Sequence, residues 1–326
     1  MAPGGKRFRI GVDLGGTKLA VGVVDSGGTI VGESVTHDHR GLSEEEVLVR
    51  IERNVDAALS AARAARADVK GVGVLFPGHI RWPEGVTLTT SNLPGFKGFP
   101  LREMTERRLG IPCLADNDAN AQAIGEYQYG AGVGMDPMVL LTVSTGIGGG
   151  IIIDGKPYRG FTGTAGEFGH MIIDTSEGKR CTCGNYGCFM GAASGLAIPG
   201  AARQLAERLR ASGACADLPS GCEDFAALDG AMLAAGCAEG NELCRAVVED
   251  FARYTGVGLY NIFQVLNPRG IVLGGGLLNL PEFFFEEAVS TCYRLAGSMM
   301  HDRMEIRRGL LGGRSGVIGA AALFEA

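Results

Sequence analysis

FRIGVDLGGTKLAVGVVDSGGTIVGESV, residues 8–35, is the stretch whose reading decides the fold. FRIGVDL and KLAVGVVD are rich in β-branched residues and are separated by Gly15-Gly16-Thr17; Gly27-Gly28 then opens a third strand-like run, TIVGESV. Apolar runs joined by tight glycine turns read as a three-stranded meander. A helix follows it. Ser43 with Glu46 makes a capping box, and Val47, Ile51, Val55, Leu59 and Ala62 share one face until Val69 resumes extended structure at VKGVGVLF.

The same pattern restarts at residue 138. MVLLTV, the glycine-rich turn STGIGGG (144–150) and IIID repeat strand, turn and strand, and helices dominate after about residue 194. The chain therefore reads as two related α/β halves. Residues 215–239, rich in Ala, Gly and Cys, read as a helical insertion of little chemical content. NELCRAVVEDFARYTGVGLYNIFQVL (241–266) reads as one long helix ended by Asn267-Pro268, and GIVLGG (270–275) as a short buried strand. GVIGAAALFEA (316–326) is a last helix able to cross back to the first half.

Composition narrows the function classes. Of 326 residues 46% are hydrophobic and 20% charged, enough apolar material for one large or two ordinary domains. The first residues, MAPGGKRFRIGVDLGG, lack the apolar stretch of a signal peptide, and no apolar run approaches the ~20 residues of a membrane span. A cytoplasmic protein, off the membrane, is expected. The net charge of −6 comes without a basic stripe, which argues against nucleic acid as a partner. Of nine cysteines only Cys181, Cys183 and Cys188 cluster. In a reducing compartment clustered thiols bind metal more often than they form structural disulfides, with a redox dithiol as the competing reading.

Three strand ends are rich in glycine; each alone reads as an ordinary tight turn, and together they also read as places where a phosphate can approach. Asp13-Leu14-Gly15-Gly16-Thr17-Lys18 places a carboxylate and a glycine hairpin together, and such a turn offers backbone N–H groups to phosphate while the carboxylate holds hydrated Mg²⁺. Ser144 to Gly150 and Gly274-Gly275-Gly276 again remove side chains at strand ends. Between them, Ala115-Asp116-Asn117-Asp118-Ala119-Asn120 follows the strand-like IPCL. A carboxylate there suits a general base acting on a hydroxyl; Asp and Asn also suit the N-cap of a helix starting near Ala119.

In order, and along nearly the whole chain, DLGGTK (13–18), NLPGFKG (92–98), DNDAN (116–120), STGIGGG (144–150), EFGH (167–170), CTCGNYGC (181–188), SG (194–195) and GGG (274–276) resemble the ROK family of sugar kinases and repressors, within the actin and hexokinase ATPase superfamily. The pairing of Glu-x-Gly-His with Cys-x-Cys-Gly-x-x-Gly-Cys is the specific part. The resemblance implies two α/β domains of ribonuclease-H-like, actin-like ATPase type flanking a cleft. The smaller would hold residues 1–118 with 312–326, and the larger residues 119–311. It also implies ATP-dependent phosphorylation of a hexose at the 6-hydroxyl, as in a glucokinase. Asp118 would be the general base, with Asn92, Asn117, Glu167 and His170 binding the sugar. Asp13 would position Mg²⁺, while Gly15, Gly16, Thr17, Lys18, Thr145, Gly146 and Gly148 would cradle phosphates, and Gly274, Gly275 and Gly276 would lie near the adenosine. His170, Cys181, Cys183 and Cys188 would hold one structural Zn²⁺, with Gly184 and Gly187 letting the short loop fold around it. A homo-oligomer, dimer or tetramer, is expected.

One residue departs from the family pattern. Family kinases usually carry Glu two residues after the last cysteine, where it accepts from sugar hydroxyls; this chain has Met190. A thioether is a poor acceptor, which widens the expected substrate from glucose to allose, mannose, fructose or N-acetylmannosamine. Two rivals from other classes follow from the family. Its repressors carry a helix-turn-helix before the DxGGTK-like region, and only a handful of residues precede Phe8 here. A non-catalytic sugar-binding regulator would keep the zinc and lose turnover, and the retained Asp118 argues against it.

Overall fold

The structure is a computed structural model and describes residues 7–16, 18–38, 41–89, 93–175, 180–297 and 304–325. The chain forms two compact units, one of Met1–Leu140, Gly150–Gly166 and Gly309–Ala326, the other of Leu141–Gly149 and Glu167–Arg308.

The expected meander forms. Strands β1 (Phe8–Leu14), β2 (Lys18–Val24) and β3 (Ile30–His37) pair antiparallel, with Leu14 opposite Leu19 across the first turn. Helix α1 (Glu44–Ala61) starts on the capping box: Ser43 N–H donates to Glu46 Oε2 at 2.8 Å, and Glu46 N–H to Ser43 Oγ at 3.4 Å. Next come β4 (Val69–Phe76), the small hairpin β5 (His79–Arg81) and β6 (Val86–Thr89), α2 (Leu101–Leu109), β7 (Cys113–Asn117) and α3 (Asp118–Tyr129). The sheet order is β3-β2-β1-β4-β7, with β1, β4 and β7 parallel. Asp13, Leu75 and Asp116 stand side by side at the carboxyl ends of these three strands, where open α/β sheets place their ligands.

Alternation decides what covers each face. Ile10, Val12 and Leu14 join Val47, Ile51 and Val55 of α1 and Leu101 of α2 in one fully buried core. Gly11, on the opposite face, lets the last helix, Ser315–Ala322, lie directly on the strand: a Cβ there would sit 1.8 Å from the Val317 carbonyl oxygen. Side chains of Ala20, Val24, Val317 and Ala321 fill the rest of that face.

The second half repeats the order. Its elements are β8 (Met138–Val143), β9 (Ile147–Ile153), β10 (Lys156–Pro157), α4 (Phe189–Ala193), α5 (Ile198–Ala211), α6 (Gly230–Ala238), α7 (Glu242–Leu266), β11 (Gly270–Gly274), α8 (Phe283–Ala296), β12 (Glu305–Arg308) and α9 (Ser315–Ala322). The sheet runs β10-β9-β8-β11-β12, again a meander followed by two more strands, with β11 and β12 parallel. The long helix is α7, ended by Asn267 in the left-handed conformation at φ 43°.

Two expectations need correction. The 215–239 insertion is helical only from Gly230, apart from one short turn at Phe225–Ala227. The STGIGGG turn is shorter than its glycines suggest, because β9 already begins at Ile147 and Gly148 lies inside it. Among the described residues no helix is long and apolar enough to cross a membrane.

Candidate functional site

In the first unit the β1–β2 turn closes by Gly15 N–H donating to the Lys18 carbonyl at 2.9 Å. Gly15 and Gly16 are half-buried and Lys18 is exposed; Thr17 and Asn92, both expected in the site, lie outside the described residues. Asp13 shares the face of Gly11 and reaches the start of α9, where its carboxylate lies against Gly316. Burial raises the Asp13 carboxyl above its ordinary value of 3.8, and the neighbouring Lys18 lowers it only in part. An anion so placed is favoured by a cation, as the expected Mg²⁺ role requires.

The β7–α3 junction is wired residue by residue. Asn117 is the N-cap of α3, its side-chain oxygen accepting from Asn120 N–H at 2.9 Å. Its amide nitrogen donates to Asp118 Oδ1 at 3.1 Å, and the same oxygen accepts from Ala119 N–H at 2.9 Å. The cap of α3 thus falls on Asn117, and the Asp118 carboxylate lies beside it on the first turn. Asp116, 2% exposed, sits directly behind. One of its oxygens accepts from Asn117 N–H and Asn120 Nδ2, and the other from Nε and Nη2 of Arg159 at 2.9 and 2.7 Å. Arg159 in turn stacks on Trp82, its guanidinium carbon 3.7 Å from the ring centroid. Neither Arg159 nor Trp82 was legible in sequence, since Arg159 lies 43 residues from its partner and no local pattern marks it.

In the second unit the other two glycine turns adjoin. The Ser144–Gly146 turn closes by Ser144 N–H donating to the Gly146 carbonyl at 2.8 Å, and its carbonyls at Ser144 and Thr145 accept from Gly195 and Leu196 N–H at 2.7 and 3.1 Å. Gly275, at φ 99°, packs so closely on the end of β8 that a Cβ would stand 2.3 Å from the Val143 carbonyl oxygen. Gly274 ends β11, and Gly276 faces Ser144 Oγ. Only the absence of side chains lets these two turns form one smooth surface.

The metal candidates converge as well. His170 ends a short helical turn, Phe168–His170, and the ligand atoms of His170, Cys181, Cys183 and Cys188 all lie within 4.8 Å of one another. Cys181 Sγ is 3.7 Å from His170 Nδ1, and Cys183 Sγ is 3.7 Å from Cys188 Sγ. A tetrahedral zinc with Zn–S of about 2.3 Å spaces its sulfurs by roughly 3.8 Å, so the set fits that ion. Backbone turning makes this possible: residues 172 and 188 form an antiparallel bridge, and Gly187 at φ 73° passes so close to the Asp174 carbonyl that a side chain would not fit. The backbone N–H of Asn185 brings the Cys183 thiol down to about 7, the direction a thiolate ligand needs. Burial pushes Cys188 up to about 12, a cost that a bound cation would reverse. Behind the loop, buried Phe189 packs on Gly258 of α7, and Tyr254 donates to Asp174 at 2.9 Å.

Glu167 lies beside this centre, its Oε2 3.9 Å from Nε2 of His170, with side chains 38% and 37% exposed and so open to a ligand. Met190 stands among these parts. Its sulfur accepts from Thr182 Oγ1 at 3.8 Å, and its methyl group faces Gly146 and Gly169. This side chain therefore lies against the Ser144–Gly146 turn and against residues next in sequence to His170, Cys181 and Cys183.

Known proteins are similar to this chain in sequence and fold. The ROK family model matches residues 9–326. A glucokinase of Streptomyces coelicolor is 34% identical over 322 residues, covering 96% of each chain. A putative xylose repressor of Caldicellulosiruptor is 29% identical, over 96% of this chain and 77% of that one. Among solved structures, a ROK family glucokinase from Streptomyces griseus in complex with glucose and AMPPNP superimposes with a TM-score of 0.79 at 32% identity, over 97% of this chain and 98% of that one. The two α/β domains are of the actin-like ATPase type, as in these kinases. With a family model spanning all but the first eight residues, the chain belongs to the ROK family.

Proposed function

We propose that this protein is a sugar kinase that transfers the γ-phosphoryl group of ATP to a hexose hydroxyl, most simply the 6-hydroxyl. The observation that carries this reading is the β7–α3 junction, where Asp118 is held by Asn117 and by the first turn of α3 at the carboxyl edge of the sheet. Asp118 accepts the hydroxyl proton as the new O–P bond forms. Asn117 has one amide N–H on Asp118, which leaves its second for orienting the sugar. Glu167 accepts from sugar hydroxyls beside His170. Gly15, Gly16, Thr17 and Lys18, with Thr145, Gly146 and Gly148, line the phosphates, and Gly274 to Gly276 the adenosine; Asn92 completes the sugar contacts. Mg²⁺, when bound with ATP, neutralises charge on the transferring phosphoryl group, and Asp13 is the residue that would position it. Phosphoryl transfer of this kind rests on positioning and charge neutralisation, which these groups supply.

Zn²⁺ held by His170, Cys181, Cys183 and Cys188 is structural in this reading, fixing the wall that carries Glu167. Met190 sets the substrate: with a thioether in place of a carboxylate, a hexose other than glucose or an N-acetylhexosamine fits that end better. The protein would work in the cytoplasm as a homo-oligomer on a small-molecule sugar, without nucleic acid or membrane. The same Met190 supports the second reading, a non-catalytic sugar-binding regulator.

A coupled ADP-release assay with Mg-ATP against glucose, mannose, allose, fructose, N-acetylglucosamine and N-acetylmannosamine separates the two. Sugar-dependent ADP release with one of them is expected. Silence across the panel, with sugar binding retained by calorimetry, would favour the regulator.

A further inference from the structure

A carboxylate as deeply placed as Asp116 needs a compensating charge, and a salt bridge at that depth could serve stability alone. Its geometry points to more. Arg159 spends both Nε and Nη2 on a single oxygen, Oδ2, leaving Oδ1 to hold the backbone of Asn117 and the side chain of Asn120. Asn117 then holds Asp118, so the guanidinium is the outer end of a chain of hydrogen bonds that finishes on the proposed base. Trp82, the one tryptophan of the sequence, fixes the plane of that guanidinium by stacking on it. Arg159 acts in a second direction too: its carbonyl accepts Ala165 N–H at 3.0 Å, closing the loop that leads in sequence to Glu167.

We infer that Arg159 is a positioning residue, clamped between Trp82 and Asp116, that sets Asn117 and Asp118 for proton transfer. What Asp118 does rests on the sugar-kinase reading; what Arg159 holds does not. Lysine cannot substitute for it, because an ammonium offers neither the planar two-nitrogen fork nor the stacking face.

The test compares the full chain with Arg159→Lys, with the neutral pair Asp116→Asn plus Arg159→Gln, and with Arg66→Lys. The neutral pair buries no unpaired charge and is the variant to rely on if Arg159→Lys fails to fold. Arg66→Lys weakens a comparable but exposed salt bridge with Asp56, far from the junction in sequence. A displacement of about 1 Å at a reacting group costs about 10²-fold in rate. The expected result is therefore a fall in kcat of about 10- to 100-fold for the first two, with KM for ATP within about twofold of wild type, and no fall for Arg66→Lys. A folded Arg159→Lys protein with kcat within about twofold of wild type would overturn the inference. If the wild type phosphorylates no sugar, the kinase reading has failed, and amide exchange decides the positioning claim instead. Faster exchange at Ala119 and Asn120 in Arg159→Lys, with the amides of β1 unchanged, would support it; unchanged exchange at those two residues would overturn it.

Discussion

At the scale of single residues, opposing demands on stability and function meet at Asp13. Its carboxyl is raised by burial, so its contribution to stability is full below the unfolded pKa and is lost as pH rises through the folded value. Burying this carboxyl in the ligand-free protein therefore costs stability at neutral pH. Asp13→Asn is expected to raise the melting temperature at pH 7, a gain that shrinks as the pH is lowered toward the carboxylate range, while abolishing ATP-dependent turnover. Scanning fluorimetry across pH checks the sign, and a lower melting temperature at pH 7 would contradict it. Arg9 makes the reverse case. It is 3% exposed on β1 and is bound by Glu325, by Tyr129 Oη at 2.9 Å and by the Asp25 carbonyl. Removing Glu325 strands a buried cation, whereas removing Arg9 leaves a carboxylate that is 34% exposed and able to hydrate. Glu325→Gln should thus cost about 3 kcal/mol in urea unfolding and Arg9→Met nearer 1 kcal/mol. Equal costs would mean that the pair is not buried in the sense described. Met190→Glu supplies a charged acceptor, and a hydrogen bond to a charged group is worth about 1.5–3 kcal/mol, so kcat/KM for glucose should rise about tenfold or more. No gain for glucose would remove Met190 from the specificity account.

At the scale of elements, the metal loop and the glycine turns make the sharpest demands. Four ligands from one His turn and an eight-residue cysteine loop converge with S–S and S–N spacings of 3.7 Å. One zinc per chain is expected by elemental analysis, with the melting temperature falling by about 10 °C or more after chelation, since ligand binding energy here is folding energy. A metal-free protein of unchanged stability would dismiss the structural zinc. Of this element the four residues that cluster were named from the family resemblance, and so was the need for glycine at 184 and 187, both of which have positive φ. The extent of the second glycine turn was not readable. Ile147-Gly148-Gly149-Gly150 has weak strand propensity, and it is pairing with β8 that makes it a strand.

At the scale of the whole molecule, the meander at residues 8–35 and its echo at 138–153 pointed to two related α/β halves, because glycine turns and β-branched runs are local signals, and the structure adds that their two sheets share one pattern of strand order. What stayed hidden was long-range. The β5–β6 hairpin that carries Trp82 is too short to show periodicity, and the Arg159–Asp116 pair joins segments 43 residues apart. Residues 215–229, with Pro219, Ser220 and Gly221 among them, remain mostly irregular as their low helix propensity dictates, and the alanine-rich part from Gly230 is the part that becomes a helix. The account as a whole turns on one carboxylate. The most direct measurement is therefore kcat and the sugar dissociation constant for wild type and Asp118→Asn, side by side, with the sugar found in the panel. The account predicts sugar binding within about threefold of wild type and a kcat lower by about 10²–10⁴-fold, the range that a positioned general base supplies. Turnover retained by Asp118→Asn would show that the proton leaves by another route and that Asp118 does no more than accept from Asn117 and the first turn of α3.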